Sequence, residues 1–137
     1  MQGKWRTDTM IEQMGGLGIN GAFIYTGARK VSYKCRDDDS KPLNSKVLDN
    51  GLIDYEIGIQ YKPNIGRNWK MIVSLEGDDT YTVRLWKPYT APRAAKTGLF
   101  GEVVTEFEGV YDDMLQDIVE STYDNAIKEH FGGFISI

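Results

Sequence analysis

Three stretches of strict apolar–polar alternation constrain this chain more than any other feature. In "IDYEIGIQYK", Ile53, Tyr55, Ile57, Ile59 and Tyr61 alternate with Asp54, Glu56, Gly58, Gln60 and Lys62. In "WKMIVSLE", Trp69, Met71, Val73 and Leu75 alternate with Lys70, Ile72, Ser74 and Glu76. In "TYTVRLWK", Tyr81, Val83 and Leu85 alternate with Thr80, Thr82, Arg84 and Trp86. A period of two places successive side chains on opposite faces, which is the pattern of half-buried antiparallel strands. The connections "PNIGRN" and "GDD" are short enough for hairpins. All three apolar sets fall on odd positions. Pairing odd with odd sets Val73 opposite Val83 and Met71 opposite Leu85, building one continuous apolar face. The even residues then form the other face, with Lys70 across from Trp86 and Ile72 across from Arg84. A slip of one residue would invert every assignment, so the register is strongly specified.

A sheet with one apolar face needs a cover. Residues 110–131 supply a long amphipathic helix in which Tyr111, Leu115, Ile118, Val119, Thr122, Ala126 and Ile127 share one stripe. Asp112, Asp113, Gln116, Asp117, Glu120, Asp124 and Lys128 lie outside that stripe. Gly132-Gly133 stops the helix and "FISI" reads as a short final strand. Towards the other end, "DTMIEQMG" at residues 8–15 reads as a short helix with Asp8 as N-cap and Gly15-Gly16 as the stop. "AFIYTG" and "RKVSYKC" read as a strand pair or one kinked strand around Gly27, and "EVVTEFE" as a fourth strand of the meander. Residues 36–51 and 87–98 are rich in turn residues and read as loops. The expected fold is α+β. A short N-terminal helix precedes an antiparallel β-meander, and a long C-terminal amphipathic acidic helix packs on the sheet. At 137 residues the chain makes one domain, 1–137.

Several kinds of chemistry find no support in the residue pattern. Gly16-Leu17-Gly18-Ile19-Asn20-Gly21 matches G-x-G-x-x-G, but that fingerprint works where a strand enters the glycine turn and a helix leaves it. Here a helix enters and a strand leaves, so the run reads as a connector. Cys35 is the single cysteine, which excludes an internal disulfide and suits a reducing compartment. His130 is the single histidine and stands at a helix C-terminus, where a cation meets the helix dipole favourably. Neither has a local partner for nucleophilic catalysis. Asp37-Asp38-Asp39 and Asp78-Asp79 do not fit a calcium loop and read as solvated turns. The expectation is a non-enzymatic chain without metal or cofactor. No apolar run has the length of a membrane span and the first residues lack an apolar leader core, so the expected setting is the cytoplasm of a bacterial host.

Two charged surfaces remain as candidate sites. Residues 1–100 carry fifteen Lys and Arg against eleven Asp and Glu, a net +4, whereas residues 101–137 carry one against nine, a net −8. The acidic excess concentrates on the last helix, where Asp112, Asp113, Asp117, Glu120 and Asp124 form a row of carboxylates. Such a row presents phosphate-like charge to the basic groove of a nucleic-acid-binding protein. The alternative is the even face of the meander, where Lys62, Arg67, Lys70 and Arg84 surround Trp86. A basic sheet face with an aromatic can hold single-stranded nucleic acid or a nucleotide, each stacked base contributing about 1–3 kcal/mol. Cover by other strands, or a surface cation–π pair between Lys70 and Trp86, explains the same residues without a ligand.

"IEQMGG…FIYTGA", "IVSLEGDDTYTVRLWK" and "GVYDDMLQDIVESTY" follow one another in this order. Together they resemble a group of small phage and prophage open reading frames with a Q-x-G-G…F-I…T-G-A start, a D-x-Y-x-V-x-[FL] strand and a G-[VI]-Y-x-D-M-L-Q helix. The resemblance covers most of the chain outside residues 36–51, and departs from the pattern where "LGIN" separates the glycines from Phe23. It implies a phage or mobile-element context and carries no catalytic residues with it. The expected role is that of an accessory protein that binds and inhibits a host protein. Defence machinery or a nucleic-acid-processing enzyme is the expected target, occupied by an anti-CRISPR-like nucleic-acid mimicry. A nucleic-acid or nucleotide module and a virion or assembly component are the alternatives. A homodimer through a strand edge or the Ile72–Trp86 patch is also open.

Overall fold

The computed structural model describes residues 2–36 and 43–132, with side chains from Arg6 onward. The chain is a mixed α+β fold in which five antiparallel strands form one sheet in the order β1-β4-β5-β6-β7. Alternation fixed the meander β4 (Gly58–Lys62), β5 (Lys70–Leu75) and β6 (Tyr81–Pro88), but the expected strand over residues 53–62 is split: Ile53–Asp54 leaves this sheet, and Ile53 and Tyr55 join a second core in place of the main apolar face. The register is the expected one, with Val73 opposite Val83, Met71 opposite Leu85, Lys70 opposite Trp86 and Ile72 opposite Arg84. "EVVTEFE" belongs to a longer edge strand, β7 (Gly101–Val110), and β1 (Arg29–Lys34) forms the opposite edge against β4.

Odd positions build the main core. Ile57, Ile59, Tyr61, Met71, Val73, Val83 and Leu85 are essentially inaccessible. Three helices cover this face: α1 (Gln2–Gln13), the single turn α2 (Ala22–Tyr25) and α4 (Leu115–Phe131). They contribute Met10, with Met14 just after α1, then Ala22 and Phe23, and Leu115, Val119 and Ala126. Within α4 the expected stripe faces the core except at its start, with Leu115, Val119, Thr122 and Ala126 buried and Ile118 and Ile127 partly so. Tyr111 is 61% exposed, because a turn of 3-10 helix at Asp112–Met114 precedes the α-helix and takes Tyr111 off its face. Tyr123, absent from the expected stripe, is buried and donates its hydroxyl to the Asn64 carbonyl at 3.0 Å.

Four local expectations need correction. α1 starts six residues before Asp8, which is therefore an interior helical residue and not a cap. Residues 22–25 form a helical turn and not a strand. Gly21 is extended at its start, and Thr26 closes it with a hydroxyl hydrogen bond of 2.7 Å to the Ala22 carbonyl. Burial of Phe23 edge-on against Tyr61 overrides the β-propensity of "AFIY". Residues 87–98 contain α3 (Ala91–Thr97), with proline in its first turn and Gly98 left-handed at its end. Those start and stop signals stand in "TAPRAAKTG" itself. Finally, part of the expected 36–51 loop is a strand: β2 (Lys46–Val47) pairs with β3 (Ile53–Asp54) as a two-stranded ribbon. The expected final strand "FISI" lies outside the described residues.

The ribbon covers the even face. Tyr55, Ile72 and Trp86 form a second, smaller core, packed by Leu52, Ile53 and Val103. The sheet is thus buried on both faces in its middle, which explains why apolar Ile72 and Trp86 interrupt a polar pattern.

Candidate functional site

On α4 and the 3-10 turn before it, Asp113, Asp117, Glu120 and Asp124 recur at intervals of four, three and four residues. That spacing keeps them on one flank of a helix over about 16 Å of axis. Asp112, Asp113 and Asp117 are exposed, and Glu120 and Asp124 are half-buried. None of the four residues of the row makes an ion pair among the described residues, where the salt bridges are Arg36–Glu56 and Arg84–Glu106. The row also has a fixed neighbour. Tyr25 of α2 donates its hydroxyl to the Asp124 carboxylate, 2.7 Å from Oδ2 and 2.9 Å from Oδ1. That bond, with burial and the charges of Asp124 and Glu120, raises the Tyr25 pKa above its ordinary value.

The glycine run reaches the same flank. Gly16 N–H donates to the Ile11 carbonyl at 2.9 Å and Gly15 N–H to Glu12 at 3.0 Å, closing α1 with both glycines left-handed. The chain then loops out, and Gln116 of α4 holds it by donating Nε2 to the Asn20 carbonyl at 2.6 Å. No helix starts at these glycines until Gly21, and α2 has four residues, so the run acts as a connector. What it does place is apolar: Leu17 is 68% exposed and Ile19 84%, and on α2 Ile24 is 55% and Tyr25 48%. The carboxylate row is therefore joined by exposed Tyr25 at Asp124, and the loop that carries exposed Leu17 and Ile19 is tied to the same helix at Gln116. Sequence reasoning missed them because an apolar residue in a loop or a single helical turn carries no period. The remaining signal is that Leu17 and Ile19 have no alternation partner.

The residues expected on the basic sheet face part company. Lys62 and Lys70 are half-buried and Arg67 is exposed. Trp86 and Arg84 lie under the ribbon, 5% and 3% exposed. Trp86 donates its indole N–H to the Gly51 carbonyl at 2.8 Å. Arg84 donates Nε to Glu106 Oε1 at 2.6 Å and Nη1 to Ser45 Oγ at 2.7 Å. Ser45 in turn donates to Glu76. Lys70 Nζ stands 5.4 Å from the Trp86 ring centroid, the cation–π pair expected from the register. An indole so enclosed has no open face for a base.

The remaining candidates stay apart. Cys35 follows β1, at the end of the sheet where Lys34 pairs with Gly58. His130 packs edge-on against Trp69, with ring centroids 5.5 Å apart, beside the start of β5 at the opposite end. Asp78 accepts hydrogen bonds from the hydroxyl and N–H of Thr80, which hold its carboxyl below the usual range. Asp37, Asp38 and Asp39 lie outside the described residues. Among the described residues, no three His, Cys, Asp or Glu side chains are grouped to hold a metal ion. No described helix is long and apolar enough to cross a membrane. No protein-family model, curated protein or solved structure matches the chain.

Proposed function

We propose that this chain is a non-enzymatic binding protein that occupies the basic, nucleic-acid-binding groove of a partner protein through the flank of α4. The observation that carries this reading is the un-neutralised row Asp113, Asp117, Glu120 and Asp124, with exposed Tyr25 bonded to Asp124 and the loop of exposed Leu17 and Ile19 tied to the same helix at Gln116. Carboxylates at helical spacing match a groove built for phosphates and speed encounter, while exposed apolar side chains give the contact a desolvated centre. An acidic face that served solubility alone would have no need of exposed apolar side chains tied to its helix. The resemblance to phage open reading frames supports a bacterial host protein, of defence or nucleic-acid processing, as that partner.

The test is an affinity pull-down from nuclease-treated bacterial lysate, comparing the parent with Asp113→Asn/Asp117→Asn/Glu120→Gln. Asp124 is left in place to keep its Tyr25 bond. Relief of like-charge pairs offsets the lost helix-dipole interaction of Asp117, each about 0.3–0.5 kcal/mol, so the variant stays folded. The expected result is a nucleic-acid-binding protein retained by the parent and lost by the variant. Equal retention by both overturns the assignment.

A further inference from the structure

One end of the sheet carries an arrangement that folding alone disfavours. Arg29 of β1 is the cross-strand partner of Lys62 at the end of β4. One position beyond the Tyr61–Met71 pair, Lys62 faces Lys70 at the start of β5. Three cations thus stand side by side across three adjacent strands, and like charges directly opposite one another destabilise a sheet. A fourth joins them. The β1–β4 register shifts just after Arg29, and Lys30 in that irregularity has a left-handed backbone, φ 53°, a conformation that a lysine rarely adopts. Lys30, then burial, Lys70 and Arg29, depress the Lys62 pKa, in keeping with that adjacency.

None of the four is in an ion pair among the described residues. The nearby polar partner is neutral: Lys62 Nζ donates to Asn68 Oδ1 at 3.0 Å. Asn68 is itself left-handed, φ 62°, in the turn that links the two lysine-bearing strands. Local rules broken together at one spot, with only the Lys70–Trp86 cation–π contact and a neutral amide set against four positive charges, mark a site whose compensation comes from a ligand.

We propose that Arg29, Lys30, Lys62 and Lys70 form a binding site for a compact oligophosphate, the phosphate chain of a nucleoside triphosphate or an inorganic oligophosphate. Grouping of the charges at one corner of the sheet, within about 10 Å across three strands, selects a small multiply charged anion over a nucleic-acid strand. The site is at the β1–β4–β5 corner and is independent of the α4 flank.

Calorimetric titration at low salt with inorganic tripolyphosphate, adenosine triphosphate and a twenty-residue oligothymidylate tests it. Tripolyphosphate should bind saturably, one per chain, at least tenfold more weakly in Lys62→Gln and in Lys30→Asn, and unchanged in Lys96→Gln on α3. Asparagine tolerates the left-handed backbone, and Lys62→Gln removes like-charge repulsion, so neither variant should unfold at a lower temperature than the parent. Binding should also move the Lys62 ammonium titration, followed by NMR, to higher pH. Tighter binding of adenosine triphosphate than of tripolyphosphate assigns the site to a nucleotide, and equal or weaker binding to the inorganic anion. The proposal is overturned if neither anion saturates, if the Lys30 and Lys62 variants bind like the parent, or if only the oligothymidylate binds.

Discussion

Tyr81 and Tyr61 illustrate what burial does to single residues of this core. Tyr81 reaches from the start of β6 to donate its hydroxyl to Gln13 of α1, and Tyr61 shares a 2.8 Å hydrogen bond with Thr26 Oγ1. Burial pushes the Tyr81 pKa up to about 12, with the charge of Asp112 adding to it, and raises Tyr61 as well. A folded-state pKa above the unfolded value of 10 means that the unfolded chain loses its proton first. The stabilisation is then complete below pH 10 and is lost as pH rises through the folded value. Folding free energy should therefore hold level up to about pH 10 and then fall. Each of these two tyrosines should contribute a slope of roughly 1.4 kcal/mol per pH unit. Urea unfolding at pH 9, 10 and 11 checks this, and a level response to pH 11 would contradict the burial of both hydroxyls.

Among the elements, what the sequence makes legible depends on how many residues share one period. β4, β5 and β6 alternate over five to eight residues, so their existence, register and inward face follow from pattern alone. β2 and β3 have two residues each, too few to show a period, and the ribbon they form decides the fate of the even face. Without it, Trp86 and Arg84 read as a surface; beneath it, they are enclosed. α2 and α3 fail for related reasons. The first is a single turn set by tertiary packing of Phe23, and the second shows its proline and glycine signals but buries no residue. Trp86→Ala tests the ribbon directly. Loss of the buried ring and of its bond to Gly51 should destabilise folding by about 3–5 kcal/mol in urea unfolding. A change below about 1 kcal/mol, the range for an exposed aromatic, would show the ribbon detached.

For the whole molecule, the strand register brings several like charges together at each end of the sheet, although Glu102 stands opposite Lys87 and Lys34 lies at the far end from Lys62. Arg29, Lys62, Lys70 and Lys87 gather at one end of the strands. Asp78 and Asp79, in the β5–β6 turn, and Glu108 stand at the other. The sequence shows the imbalance between its two segments, and helical spacing shows the carboxylate row of α4. Neither shows that the glycine-rich loop carrying Leu17 and Ile19 is tied to α4, since the Gln116–Asn20 bond joins residues 96 positions apart. The combination, and not the charge alone, is what favours a protein partner. The proposed mimicry of nucleic acid makes a strict demand on a partner: it could not hold this chain and its own nucleic acid in the same groove. The most direct test takes the protein retained in the pull-down and measures its binding to this chain as duplex DNA is added at constant salt. Competitive displacement, with the apparent Kd rising in proportion to DNA concentration, is the predicted result. A ternary complex, with Kd unchanged at saturating DNA, would contradict it.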